Sequence, residues 1–97
     1  MAHYLMMFRF TQQGITRIKE APARIDAAKE LARKMECKVK DCYALMGAYD
    51  STFILEAPND ETAARVALAI GSLGNVQAET IRAFTEEEFR GIVAKLP

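Results

Sequence analysis

The sequence predicts an α+β fold in which four antiparallel strands and two long helices follow the order β-α-β-β-α-β, with a further helix at the C-terminus. Three observations predict it. Apolar residues alternate at period two in four short stretches, they recur at helical spacing in two longer ones, and Gly, Pro and Asn punctuate the boundaries. The length of 97 residues and the 51% apolar content suit one compact domain, 1–97, with a single core.

The first strand is read from Tyr4, Met6, Phe8 and Phe10 alternating with Leu5, Met7 and Arg9. Thr11 offers a helix-capping oxygen, and a short helical piece over Gln12 to Glu20 carries Ile15 and Ile18 on one side. Pro22 restarts the helix. From about Ala23 to Glu36 it buries Ile25, Ala28, Leu31, Ala32 and Met35, and leaves Arg24, Lys29, Arg33 and Lys34 for solvent.

A second strand alternates Val39, Asp41, Tyr43 and Leu45 with Lys40, Cys42, Ala44 and Met46. Gly47 breaks it, and Gly47 to Asp50 forms a hairpin connection into a third strand, Ser51 to Ala57. Pro58 stops that strand and Asn59 caps the second long helix, with Asp60 and Glu61 in its positively polarised first turn. Its inner face is small: Ala63, Ala64, Ala67 and Gly71 beside Val66, Ile70 and Leu73. Gly74 and Asn75 terminate it. The fourth strand runs from Val76 to about Phe84. Thr85 and Glu88 make a capping box for a terminal helix striped with Phe89, Ile92, Val93 and Leu96.

Two split β-α-β units in this order match a ferredoxin-like βαββαβ sandwich, with sheet order 4-1-3-2 and both long helices on one face. The other face is then open, yet the strands carry apolar residues on both sides. A second copy is expected to cover it, giving a homodimer or a higher symmetric homo-oligomer.

The stretch from Met46 to Phe89 also resembles a known family. Gly47, Ala48, Tyr49 and Asp50 form a G-x-Y-D, followed by an apolar strand, an E-A-P turn at Glu56 to Pro58, an Asn-Asp-Glu helix start and a G-S-L-G-N helix end at Gly71 to Asn75. Upstream, Thr11, Gly14, Ile15, Lys19 to Pro22 and Lys38-Val39-Lys40 fit more loosely, with Cys37 standing where glycine is expected. The chain resembles the GYD-domain proteins. The resemblance implies the dimeric α/β-barrel type, in which two such sheets pack face to face, and it implies no particular activity.

Thirteen basic residues balance thirteen acidic ones, so no general field attracts nucleic acid or an anionic membrane. The apolar run Tyr4 to Phe8 is too short to span a bilayer and lacks a signal peptide's flanks, which points to the cytoplasm. Cys37 and Cys42 are five apart and face oppositely along a strand, so a disulfide between them is not expected. With the lone His3 they fall short of a metal set, and the methionines are gap fillers, so no metal and no cofactor are assigned.

Two polar clusters follow from the topology. The C-terminal end of the first strand lies beside the N-terminal ends of the third and fourth, gathering Arg9, Thr11, Tyr49, Asp50 and Asn75, with Asp50 free to bond the hairpin or pair with Arg9. Arg9, Tyr49, Asp50 and Asn75 are the candidate ligand-binding residues. At the opposite end His3, Glu56 and Arg82 gather near Lys38 as a second cluster, where a histidine between a carboxylate and a guanidinium suits acid–base work. Tyr43 and Glu79 are polar reserves whose faces are unassigned. Two functions remain: a non-catalytic oligomeric module that binds a small molecule or a protein, or a cofactor-independent enzyme using a polar pair in an apolar cleft for proton transfer or oxygenation. A purely structural assembly role is the third.

Overall fold

The structure, a computed structural model, describes residues 1–97. Its strands are β1 (Ala2–Phe10), β2 (Lys38–Ala44), β3 (Ser51–Ala57) and β4 (Val76–Ala83). Its helices are α1 (Gln12–Thr16), α2 (Ala21–Lys34), α3 (Asp60–Ser72) and α4 (Glu86–Ala94), with a 3-10 turn at Ile18–Glu20 before α2. The sheet order is β2-β3-β1-β4, all neighbours antiparallel, which is the expected 4-1-3-2 arrangement.

The register sorts side chains onto two faces, because residues directly opposite share one. Tyr4 lies against Leu55 and Met6 against Phe53, and all four are buried beneath the helices with Phe8 and Ala57. Phe8 and Phe53 meet edge to face with ring centroids 5.0 Å apart. From above, α2 buries Ala28 and Ala32, while α3 buries Thr62, Ala63, Val66 and Ile70. Thr62 takes a core place that the sequence pattern gave to Ala64, which is exposed. The Asn59 cap makes room for it by accepting both the Thr62 amide and hydroxyl at 2.8 Å.

Three local readings change. Pro22 sits in the first turn of α2, a position that needs no amide hydrogen, so the helix starts at Ala21 and not after the proline. A bulge between Val39 and Asp41 breaks the alternation of β2: Val39 faces Leu55 under the helices, Asp41 faces Ile54 on the other side, and Cys42 returns to the helix face beside Phe53. The opposite-face argument for the cysteines therefore fails, since Cys37 precedes the strand and the bulge resets Cys42. Both thiols are free, and burial pushes both upward in pKa.

Cys37 also explains the missing glycine. Helix α2 ends in a Schellman motif: the Glu36 amide donates to Arg33 O at 3.1 Å and the Cys37 amide to Ala32 O at 2.9 Å. The left-handed residue is Glu36, at φ 65°, and Cys37 is the buried residue that closes the motif on Ala32. A side chain at that φ is unfavourable, so Glu36→Gly should raise stability by about 1 kcal/mol. A urea midpoint that does not rise would contradict it.

Gly47 holds φ 141° in the hairpin connection, and a Cβ there would meet nothing within 4 Å. The need for glycine is thus purely conformational. Gly47→Val should lower stability by about 1–3 kcal/mol, read as a lower denaturation midpoint, and an unchanged midpoint would refute it.

The face away from the helices carries Leu5 opposite both Ile54 and Ile81, and Met7 opposite Thr52 and Glu79. Tyr43 joins from β2, opposite Thr52. Helices α2 and α3 pack on the opposite face, and at the His3 end of this one Glu88 of α4 lies 3.9 Å from His3 Nδ1. Ile81 is 43% and Tyr43 56% exposed. Helix α4 buries none of its residues, although the expected capping box is complete, with both bonds near 3 Å (2.9 and 3.1 Å). Its stripe of Phe89, Ile92, Val93 and Leu96 is exposed as well.

Candidate functional site

A cleft of about 440 Å³ opens between the N-terminal half of α2, the C-terminal end of α3 and the helix face of the sheet. Phe8 and Phe53 form its floor, Ile25 and Ala28 one wall, and Ile70 and Leu73 the other. Its polar lining is Arg24, Asp50, Ser51 and Asn75.

Asp50 is fixed by the backbone around it. Strand β1 runs two residues past its last pairing with β3, which is Phe8 with Ser51, so the Phe10 amide lacks a ladder partner on that side. The Asp50 carboxylate replaces that partner, its Oδ2 accepting from Phe10 N at 2.8 Å. The Asp50 amide donates to Phe8 O and its carbonyl accepts from Leu45 N, each at 2.8 Å.

The mouth is held by a latch between α1 and the α3–β4 turn. Gln13 donates to Asn75 Oδ1 at 2.9 Å and to Leu73 O at 3.2 Å, Thr11 Oγ1 donates to Gly74 O at 2.6 Å, and Thr11 N to Asn75 O at 3.1 Å. Arg24, which the helical pattern left to solvent, ties α2 to the preceding turn through the carbonyls of Arg17 and Gly14, each at 3.0 Å.

The first candidate cluster is therefore gathered at one end of the sheet but divided between its faces. Asp50 and Asn75 line the cleft, whereas Arg9 and Tyr49 lie on the open side in a hollow of about 100 Å³ with Met7, Gln77 and Glu79. Of the two expected alternatives for the Asp50 carboxylate, the hairpin or Arg9, it takes neither. Arg9 stacks on the Tyr49 ring at 4.4 Å and donates to Ala48 O at 2.8 Å, and Asp50 bonds Phe10 instead. Tyr49 donates its hydroxyl to Glu79, and that bond raises the phenol's pKa.

The second cluster is an ion network across the other end of the sheet. His3 Nε2 lies 3.6 Å from Glu56 Oε1, which Lys40 also approaches at 3.4 Å. Lys40, at the bulge, takes the place expected for Lys38. Arg82 donates to His3 O at 3.2 Å and lies 3.9 Å from Asp60 and 4.0 Å from Glu88. Asp60 in turn accepts from Tyr4, whose phenol pKa is pushed up to about 12 by burial and by this bond. Glu88 is held below the usual carboxylate range chiefly by the Thr85 amide. The sequence pattern reads Asp60 and Glu88 only as helix-start residues, and their spacing carries no signal for this network because they belong to two different helices. None of His3, Glu56 and Arg82 lines the cleft or the hollow. No group of three or more His, Cys, Asp or Glu gathers to hold a metal ion.

The cleft lining holds no His, Cys, Lys or Tyr, and its two charged side chains are bonded to backbone, Arg24 through both terminal nitrogens and Asp50 through Oδ2. The family model for the GYD domain matches residues 4–93, so the G-x-Y-D that fixes Asp50 and the G-N that forms the latch both lie within it. The chain belongs to the GYD family. This GYD chain is 31% identical over 84 residues to the "Glutamine synthetase and cystathionine beta-lyase binding protein" of Thermus thermophilus, covering 86% of this chain and 88% of that protein. A crystal structure of a Thermus thermophilus protein superposes with a TM-score of 0.58 at 23% identity, over 88% of this chain and 95% of the other. The feast or famine regulatory protein of M. tuberculosis gives a TM-score of 0.67 at 14% identity, over 88% of this chain and 51% of that one. The two solved structures share the fold with this GYD chain. No helix is long and apolar enough to cross a membrane.

Proposed function

We propose that this GYD chain is a non-catalytic binding module that self-associates through the open face of its sheet and docks, as an oligomer, on a partner enzyme. The observation that carries it is the uncovered face, where Leu5, Ile54 and Ile81 stand in one register row across three strands with Met7 beside them. An apolar row on the central strands of a sheet is stabilised by cover. A second copy supplies that cover with a self-complementary surface, and a formal charge of zero sets no net repulsion against it. The partner class is supported by the Thermus relative, which is named for binding glutamine synthetase and cystathionine beta-lyase. The engagement of both charged cleft side chains with backbone, Asp50 with the Phe10 amide and Arg24 with two carbonyls, favours binding over proton transfer or oxygenation.

The test is a titration of the purified chain against glutamine synthetase and cystathionine beta-lyase from its own organism by biolayer interferometry. Saturable binding to at least one enzyme is expected. Binding to neither would remove the partner class, and turnover of an added metabolite by the chain alone would overturn the non-catalytic reading.

A further inference from the structure

We propose that the cleft under α2 and α3 is a binding site for a small organic amine, with an apolar body against Phe8, Phe53 and Ile70 and its ammonium group on Asp50. This goes beyond the docking role and uses the opposite side of the sheet, so its failure leaves the self-association reading intact.

The volume decides first that a ligand fits: about 440 Å³ falls within the range typical of small-molecule pockets, and the cleft opens to solvent, so a ligand can enter it and cover the apolar lining. Bonds to neighbouring segments hold the polar lining in place: Gln13 to Asn75, Thr11 to Gly74 beside it, and Arg24 to the carbonyls of Gly14 and Arg17. Small residues on the α2 side, Ala21, Ala27 and Ala28, keep the wall back from the floor.

Charge decides the ligand class. Asp50 is the acidic residue of the lining, and the backbone fixes it on both sides. Its Oδ2 is occupied by the Phe10 amide, while Oδ1 has no partner within the chain. Arg24, the basic residue of the lining, has both terminal nitrogens on backbone carbonyls, so an anionic ligand would have to break those bonds to be received. A fixed carboxylate with one open oxygen, set in an apolar wall, complements a protonated amine.

The test uses three probes of one shape and different charge: 2-phenylethylamine, 2-phenylethanol and 3-phenylpropionate, each titrated into the isotopically labelled chain and followed by amide chemical shifts. The amine is expected to bind at least about tenfold more tightly than the alcohol or the acid, as a charge-assisted bond to Asp50 requires, and to move the amides of Asp50, Ser51 and Asn75. Asp50→Asn keeps an oxygen for the Phe10 amide and should remove the preference for the amine while leaving the alcohol's affinity unchanged. Ala28→Phe, which fills the cleft, should abolish binding of all three. Equal affinity for the three probes, an unchanged amine affinity in Asp50→Asn, shifts confined to the open face, or no binding by any probe would each overturn the assignment.

Discussion

Gly14→Ala should cost about 3 kcal/mol of stability or prevent folding, the largest effect expected of any single methyl group in this chain. Gly14 is buried in α1 where that helix crosses the start of β4. A Cβ there would lie 2.0 Å from the backbone oxygen of Asn75, 2.9 Å from its carbonyl carbon and 3.2 Å from its Cα. These are backbone atoms, and they are held: the Asn75 oxygen accepts from Thr11 N at 3.1 Å, and its side chain from Gln13 at 2.9 Å. Relief would require α1 to lift off and the latch at the cleft mouth to open. The same substitution at Gly91 meets nothing within 4 Å and should raise stability by about 1 kcal/mol through helix propensity. Urea denaturation of the two variants side by side separates them, and equal midpoints would show that α1 does not sit where the structure places it.

Leu5→Glu should convert an oligomer to a monomer. Leu5 is half-buried at the middle of the open face, with Ile54 and Ile81 directly opposite and Glu56 and Glu79 on the diagonals. In the isolated chain the new carboxylate would reach water. Beneath a second copy it would be an unpaired charge among apolar side chains and two like charges, a penalty of roughly 3–5 kcal/mol that raises the dissociation constant by more than about a hundredfold. Leu68→Glu, on the exposed side of α3, is the control and should leave the mass unchanged. A Leu5→Glu variant that sediments like the parent would place the interface elsewhere, with the α4 stripe as the next surface to test.

The fold was legible because its signals are local. Period-two alternation in β1 and β3, the Asn59 cap and the Thr85–Glu88 box each depend on residues within a few positions of one another, and each stands where the pattern put it. The bulge in β2 was not legible: Val39 to Leu45 alternates polar and apolar residues imperfectly in either phase, so nothing marks the extra residue that lets Lys40 reach Glu56. Topology placed Arg9, Tyr49, Asp50 and Asn75 at one end of the sheet but not on which side of it. Arg9 is directed by the pleat to the open face, whereas Asp50 leaves the alternation to bond an amide that β1 exposes by outrunning β3. The cleft depends on contacts distant in sequence, such as Gln13 with Asn75, and on an arginine turned back to its own helix's approach, which helical spacing assigns to solvent. Gly14 reads as an ordinary helical glycine until the strand start crossing it is known.

The mass of the chain in solution tests the central claim most directly. Static light scattering behind gel filtration, at micromolar concentration and near-physiological salt, is expected to return twice the 10.8 kDa of one chain or a higher even multiple. A single species at 10.8 kDa would contradict the covered sheet face and the oligomeric binding module built on it.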